Sequence, residues 1–162
     1  MCQSVMGSIA ANDKARKAFS DGAAELTLVW RDERTDLLCK ARLDYYREDI
    51  GIVFDLKSTV DARAHPVQRD IEKYAYHVSA AHYMNGLLAL GLAAGGFGWV
   101  FVEKEAPFAQ GLYFADEDML FTGRELCRSY LDAYAQCREA DNWPSYPGVF
   151  TTIELPAWAK QH

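Results

Sequence analysis

The chain of 162 residues is long enough to bury a substantial single core, and a composition of 50% hydrophobic and 25% charged residues is that of an ordinary globular protein. A formal net charge of −6 excludes a chain that binds nucleic acid through bulk positive charge. Any DNA contact must come from a local basic strip or from a ring of subunits.

In chain order, the residues up to about Ser20 read as a helix ended by Asp21-Gly22. Glu25–Arg31 alternates as a strand, and Asp32–Asp36 is a turn. Leu38–Tyr46 and Gly51–Thr59 are β-rich runs joined by the polar turn Arg47-Glu48-Asp49. Val67–Leu92 reads as one long helix with Ile71, Tyr74, Val78, Ala81 and Leu88 on its apolar face, stopped by Gly95-Gly96. Phe97–Val102 and Gly111–Phe114 are short strands expected to pair. Asp116–Asp141 is a second long helix, N-capped by Asp116, with Leu120, Leu126, Tyr130, Leu131 and Tyr134 as its buried side. The tail Asn142–His162 is expected to lie across the body as a loop and a short final helix, with Trp143 and Trp158 as packing anchors. This order predicts an α/β (α+β) fold, a mixed central sheet flanked by helices.

The four cysteines, Cys2, Cys39, Cys127 and Cys137, form no CxxC pair, which with no secretory signal points to free thiols in a reducing, cytoplasmic setting. The longest apolar stretch, Met84–Val102, is broken by glycines and Asn85 and makes a poor membrane span.

The chemistry concentrates in the central hairpin. Positions i and i+2 of a strand share a face, so Asp55 and Lys57 project side by side, and pairing of the two strands brings Asp44 next to Asp55. Two carboxylates beside a lysine form a site that can hold Mg²⁺ and activate water against a phosphodiester.

Glu25, Lys40-Ala41-Arg42-Leu43-Asp44, Asp55-Leu56-Lys57-Ser58-Thr59 and Tyr76-His77-Val78-Ser79-Ala80-Ala81-His82-Tyr83 resemble, in order, the motifs of the PD-(D/E)xK nuclease superfamily, and more narrowly of its RecE-like, exonuclease VIII branch. Asn142-Trp143-Pro144 and Leu155-Pro156-Ala157-Trp158-Ala159-Lys160 are similar to the end of that domain. The resemblance implies a restriction-endonuclease-like core forming a single domain over residues 1–162, without the family's N-terminal region. It implies Asp44, Asp55 and the backbone carbonyl of Leu56 as metal ligands, Lys57 as the group orienting or activating water, and Glu25 as an acidic residue near the metals. Tyr76, Ser79 and Tyr83 would line a DNA channel. The implied activity is Mg²⁺-dependent hydrolysis, with Mn²⁺ able to substitute, at double-stranded DNA ends. It would run 5′ to 3′ in phage or prophage recombination, by a homo-oligomer working beside a single-strand annealing protein.

Two departures open a second reading. The glutamine that the family places four residues before Tyr83 is Ser79, and the histidine ligand of the family's upstream helix has no counterpart, since no histidine precedes His65. The chain would then be a nuclease fold that keeps a DNA-binding or assembly role without full catalysis. Bland alternatives stand beside the individual residues: Glu25 as a surface strand residue, Tyr76, Ser79 and Tyr83 as a core stripe, and Arg63, Arg69 and Lys73 as solvated charges rather than phosphate contacts. His77 and His82, five residues apart on a helix, are not expected to share a metal. One of them is expected at the surface or in the channel.

Overall fold

The structure is a computed structural model describing residues 2–159, with side chains from Met6 onward. Cys2 and the Lys160–His162 end of the tail motif lie outside the described side chains. Five strands, β1 (Ala23–Arg31), β2 (Leu38–Arg47), β3 (Ile52–Thr59), β4 (Gly96–Glu103) and β5 (Gln110–Phe114), form one sheet in sequential order. β1, β2 and β3 pair antiparallel, β3 and β4 parallel, and β4 and β5 antiparallel. This is the expected mixed sheet. β3 and β4 are apolar on both faces because both faces are covered, as parallel pairs require. Val53, Phe97, Trp99 and Phe101 pack under Val67, Ile71, Ala80, Met84, Leu87 and Leu120 of the helices α3 (Ala64–Lys73), α4 (Tyr76–Ala89) and α5 (Glu117–Ala140). On the opposite face Val100 and Val102 meet Ile9 and Ala15 of α1 (Cys2–Ala11) and α2 (Asp13–Ala18).

Two expected helices are each divided. The first breaks at Asn12, whose side chain accepts the backbone N–H groups of Lys14 and Ala15 and so starts α2 afresh. The second, read as a single helix over Val67–Leu92, is α3 and α4 joined through Tyr74 and Ala75, with Ala75 in the left-handed region at φ 52 and ψ 36. The turn changes the helix axis, so the buried stripe does not continue through it. Ile71 and Ala81 are buried as expected, whereas Tyr74 is 53% exposed. A methyl-bearing residue in this region costs about 1–2 kcal/mol.

A smaller irregularity shapes the hairpin. Buried positions on β2 run Cys39, Ala41, Leu43 and then Tyr46, so the alternation slips by one residue after Leu43. Opposite the slip, Glu25 of β1 takes a positive φ of 55 and drops out of the ladder between the Ala24–Tyr45 and Leu26–Leu43 pairs. Tyr46 pairs with Val53, so counting back two positions places Asp44 on the face that carries Asp55.

α5 begins as expected at Asp116, which accepts the Met119 N–H at 2.7 Å. Its buried contacts are Leu120, Gly123 and Cys127; Tyr130 and Tyr134, expected inside, are more than half exposed. α5 is instead tied to the β1–β2 connection by an ion pair whose carboxylate is buried. Asp32 accepts two hydrogen bonds from Arg128 at 2.7 and 2.8 Å and one from the Thr35 hydroxyl at 2.6 Å. Arg128 thereby holds the Asp32 carboxyl well below the usual carboxylate range. The tail ends in a short 3₁₀ turn, Ala157–Ala159. Trp143 leans on Tyr134 but, with Trp158, leaves most of its surface open, so neither tryptophan is the buried anchor expected. Among the described residues no helix is long and apolar enough to cross a membrane.

The strain at Ala75 is testable. Ala75→Gly should relieve more left-handed cost than its added unfolded-chain entropy takes back, a net gain of about 1 kcal/mol. The thermal midpoint should rise by about 2–4 °C for a domain of this size. A fall in midpoint, as Gly causes inside a regular helix, would contradict the geometry.

Candidate active site

The site forms where β2 and β3 part. Their ladder runs from Arg47–Ile52 to Tyr45–Phe54, and the next register position would set Asp44 opposite Asp55. There the backbone pairing gives way to a side chain: Asp44 Oδ2 accepts the Leu56 N–H at 3.0 Å. This bond holds the Asp44 carboxylate against β3, where Asp55 feels its charge. In an extended strand the N–H and C=O of one residue point to the same edge. The Leu56 carbonyl therefore lies on the edge that faces Asp44.

Asp55 is 4% exposed and is ion-paired with the Lys57 ammonium two residues along the same face. Its parallel partner is Trp99, and Phe97, Trp99 and Tyr83 wall the 120 Å³ cavity that Asp55 and Lys57 line together with Tyr74, Tyr76 and Ser79. Loss of water pushes Asp55 up to about 6, with Asp44 as a second like charge adding to the rise and Lys57 opposing it. For Lys57 burial pulls the other way, but the charge and hydrogen bond of Asp55, followed by the charge of Asp44, outweigh it and hold the ammonium above its ordinary value. The Lys57 Nζ also lies 5.2 Å from the Tyr76 ring centroid, a cation–π contact that fixes the far side of the ammonium.

The structure thus gathers Asp55, Lys57, Tyr76, Ser79 and Tyr83 around one concavity, with the Asp44 carboxylate tied to the Leu56 N–H on the strand that carries Asp55. Ser79 lines the cavity rather than the core. Glu25 is held apart: its exposed carboxylate pairs with Arg42 at 2.9 Å. It stands at the register position facing Asp44, where its backbone carries the pleat slip. Neither histidine lines the cavity. His77 Nδ1 is 3.3 Å from the Ile71 carbonyl oxygen, and His82 packs on Trp30 with Nδ1 3.5 Å from Cys127 Sγ. Among the described residues no three His, Cys, Asp or Glu side chains form a cluster able to hold a metal. A third protein ligand beside the two carboxylates would come from outside that set, as a backbone oxygen does.

Sequence reasoning missed Phe97, Trp99 and Tyr74. The first two were legible only as core strand residues, since a parallel register across two intervening helices has no local signal. Tyr74 was hidden by the assumption of one continuous helix, which placed it in the buried stripe.

The sequence profile of a family described as a PDDEXK-like domain of unknown function (DUF3799) matches residues 2–155, and the chain belongs to that family. A crystal structure from Eubacterium rectale, bearing the name of a candidate exonuclease, superposes with a TM-score of 0.73 at 12% identity, over 95% of this chain and 61% of the other. That likeness is one of fold, and the chain spans about 61% of the length of that structure. A second structure, SSO0001, reaches a TM-score of 0.44 at 14% identity over 85% of this chain and 59% of the other, too low to carry an argument. No curated protein matches the sequence.

The raised Asp55 pKa has a measurable sign. Between about 4, where an unfolded Asp ionises, and about 6, the metal-free native state binds more protons than the unfolded chain, so Asp55 makes stability fall as pH rises. Asp32 and Asp61 carry the opposite shift, whose effect is complete below that window. In metal-free buffer the thermal midpoint of the wild type relative to Asp55→Asn should therefore decline from pH 4 to pH 6. Parallel profiles for the two proteins would show that Asp55 titrates normally.

Proposed function

We propose that the protein is a metal-dependent deoxyribonuclease that hydrolyses phosphodiesters at duplex DNA ends, and that Asp44, Asp55, Leu56 and Lys57 form its catalytic centre. The observation that carries this reading is the convergence of two carboxylates, one of them almost wholly desolvated, with a lysine paired to it and a backbone oxygen on the same edge. The donors are all oxygens, the set preferred by a hard divalent cation. The cavity of 120 Å³ beside Asp55 admits water, and Mg²⁺ keeps several waters of its own. The residues therefore fit Mg²⁺ or Mn²⁺, held by Asp44, Asp55 and the Leu56 carbonyl.

When bound, such an ion polarises the phosphate and lowers the pKa of a coordinated water. The protein's own groups do the rest. Asp55 must give up its proton to act as a ligand, so metal affinity should rise with pH through about 6. Lys57, fixed between Asp55 and Tyr76, directs its ammonium to the negative charge that develops as the water attacks phosphorus. Phe97, Trp99 and Tyr83 exclude bulk water, which strengthens both effects.

The finer features of the reading, degradation from 5′ to 3′, action as a homo-oligomer and work in prophage recombination beside a single-strand annealing protein, are supported by the resemblance of the ordered motifs. The rival reading, a nuclease fold with impaired catalysis, is favoured by one observation. Ser79 stands at the cavity where a glutamine would reach further, and a serine hydroxyl needs a bridging water to cover the same distance.

Lys57→Ala should leave Mn²⁺ binding measurable by calorimetry while reducing cleavage of linear duplex DNA on the order of 10²–10³-fold. Asp44→Asn should weaken Mn²⁺ binding itself. Unchanged binding in that variant would move the metal site elsewhere, and a wild type that cuts no DNA with Mg²⁺ or Mn²⁺ would give the field to the rival. Ser79→Gln separates the two readings from the other side. It should raise metal-dependent cleavage in a working enzyme and leave a non-catalytic protein silent, with thermal stability little changed in both.

A further inference from the structure

The break between α3 and α4 does more than end a helix. With Ala75 in the left-handed region, residues 74 and 76 turn to the same side, and the two tyrosine rings stack at 5.5 Å between centroids with 28° between planes. Tyr76 is the inner member, half-buried against Phe101 with the Lys57 ammonium over it. Tyr74 is the outer member, 53% exposed. Both rings line the cavity of Asp55 and Lys57, and both also line a groove of 850 Å³ that adjoins it. An exposed aromatic platform thus continues directly from the candidate catalytic lysine.

The charges along that groove are uneven. Its basic residues Arg69, Lys73 and Lys104 form no salt bridge among the described residues. Of its acidic residues, Asp61 is paired with Arg63 from outside the groove, whereas Asp70, which accepts a hydrogen bond from the neutral Thr59 hydroxyl at 3.1 Å, and Glu72 keep their charge. In a chain of net charge −6, a groove where three cations without a salt bridge outnumber two unpaired carboxylates, and which opens onto the site, can take the phosphates of a strand. Lys73 currently rests over the Tyr74 ring at 5.1 Å. A cation–π contact at an exposed position is weak, so a competing aromatic can take the ring and release the ammonium.

We infer that the Tyr74–Tyr76 stack is a subsite for an unpaired DNA nucleotide: a nucleobase lies on Tyr74, and Arg69, Lys73 and Lys104 take the phosphates on either side. This rests on the nuclease reading and deepens it, because it makes the bound substrate a strand separated from its complement near the site rather than an intact duplex. Stacking on tyrosine accepts every base, as a non-specific end-processing enzyme requires. The strained Ala75 has a role here, since a regular helix would set residues 74 and 76 about 200° apart and could not stack them.

The test is binding, measured by fluorescence anisotropy with Ca²⁺ in place of Mg²⁺. Two labelled strands of equal length are used, one of dT nucleotides and one whose sugars carry no base. Tyr74→Ala should weaken binding of the dT strand about tenfold and leave the abasic strand unaffected, whereas Tyr74→Phe and Tyr74→Trp should retain wild-type affinity. Lys104→Ala should weaken both strands alike and lower the slope of log affinity against log salt by about 1. Circular dichroism of each variant confirms that the fold is kept. The inference is overturned if Tyr74→Ala binds the dT strand like the wild type, if it loses both strands equally, or if the wild type binds neither. Failure of the nuclease reading would look different. A wild type that shows the base-dependent loss yet cuts no DNA keeps the subsite and removes the enzyme, and one that cuts duplex DNA while Tyr74→Ala binds normally does the reverse.

Discussion

The hydrogen bond from the Leu56 N–H to the Asp44 carboxylate is the constraint on which the site depends. At that point a backbone donor of β3 has lost its partner strand and needs an acceptor, because an unpaired donor at a partly buried edge costs about 1–3 kcal/mol. Supplying the acceptor from a side chain satisfies the sheet and, in the same act, parks one carboxylate beside another. Two like charges at close range are unfavourable, and the protein tolerates them because Lys57 sits on the same face and because Asp55 can hold a proton when no cation is present. Structural need and chemical potential are met by one contact.

The hairpin was legible because its signals are local: alternation in β2, a polar turn, and a period of two that set Asp55 and Lys57 on one face. The placement of Asp44 followed from strand pairing, although the slip after Leu43 that brings it to the correct face had no signal in the residues. Glu25 shows what such reading leaves out. Resemblance places an acidic residue near the metals, but no pattern in the residues announces its positive φ or the pairing of its carboxylate with Arg42. The long helix shows a second limit. α3 and α4 carry compatible apolar spacing, no Pro or Gly stands at Tyr74 or Ala75, and an alanine in the left-handed region is uncommon enough that no rule of sequence reading would place one there.

The environment of the site was less legible than its ligands. What sets the Asp55 carboxyl apart from any other strand aspartate is the wall of Phe97, Trp99 and Tyr83, contributed by β4 and α4. Phe97 and Trp99 read as core, and they are core. Their second effect, removing water from a carboxylate, arises only from who their neighbour is. The same holds for Asp32, which looks like a turn residue and proves to be the buried half of a clamp with Arg128 that fixes α5 against the β1–β2 connection.

The parallel pairing of β3 with β4 has a consequence for the order of events during folding. The β2–β3 hairpin is local and can close within microseconds, bringing Asp44 and Asp55 near each other while both are still hydrated and ordinary. Trp99 cannot reach Asp55 until α3 and α4 have formed and crossed the sheet, a long loop to close and therefore a slow one. A nascent or partly unfolded chain thus possesses the acidic pair and its strand neighbour Lys57 without the dry setting that raises the Asp55 pKa. The perturbed Asp55 carboxyl is thus a property of the completed fold, and it is lost first wherever the crossover opens.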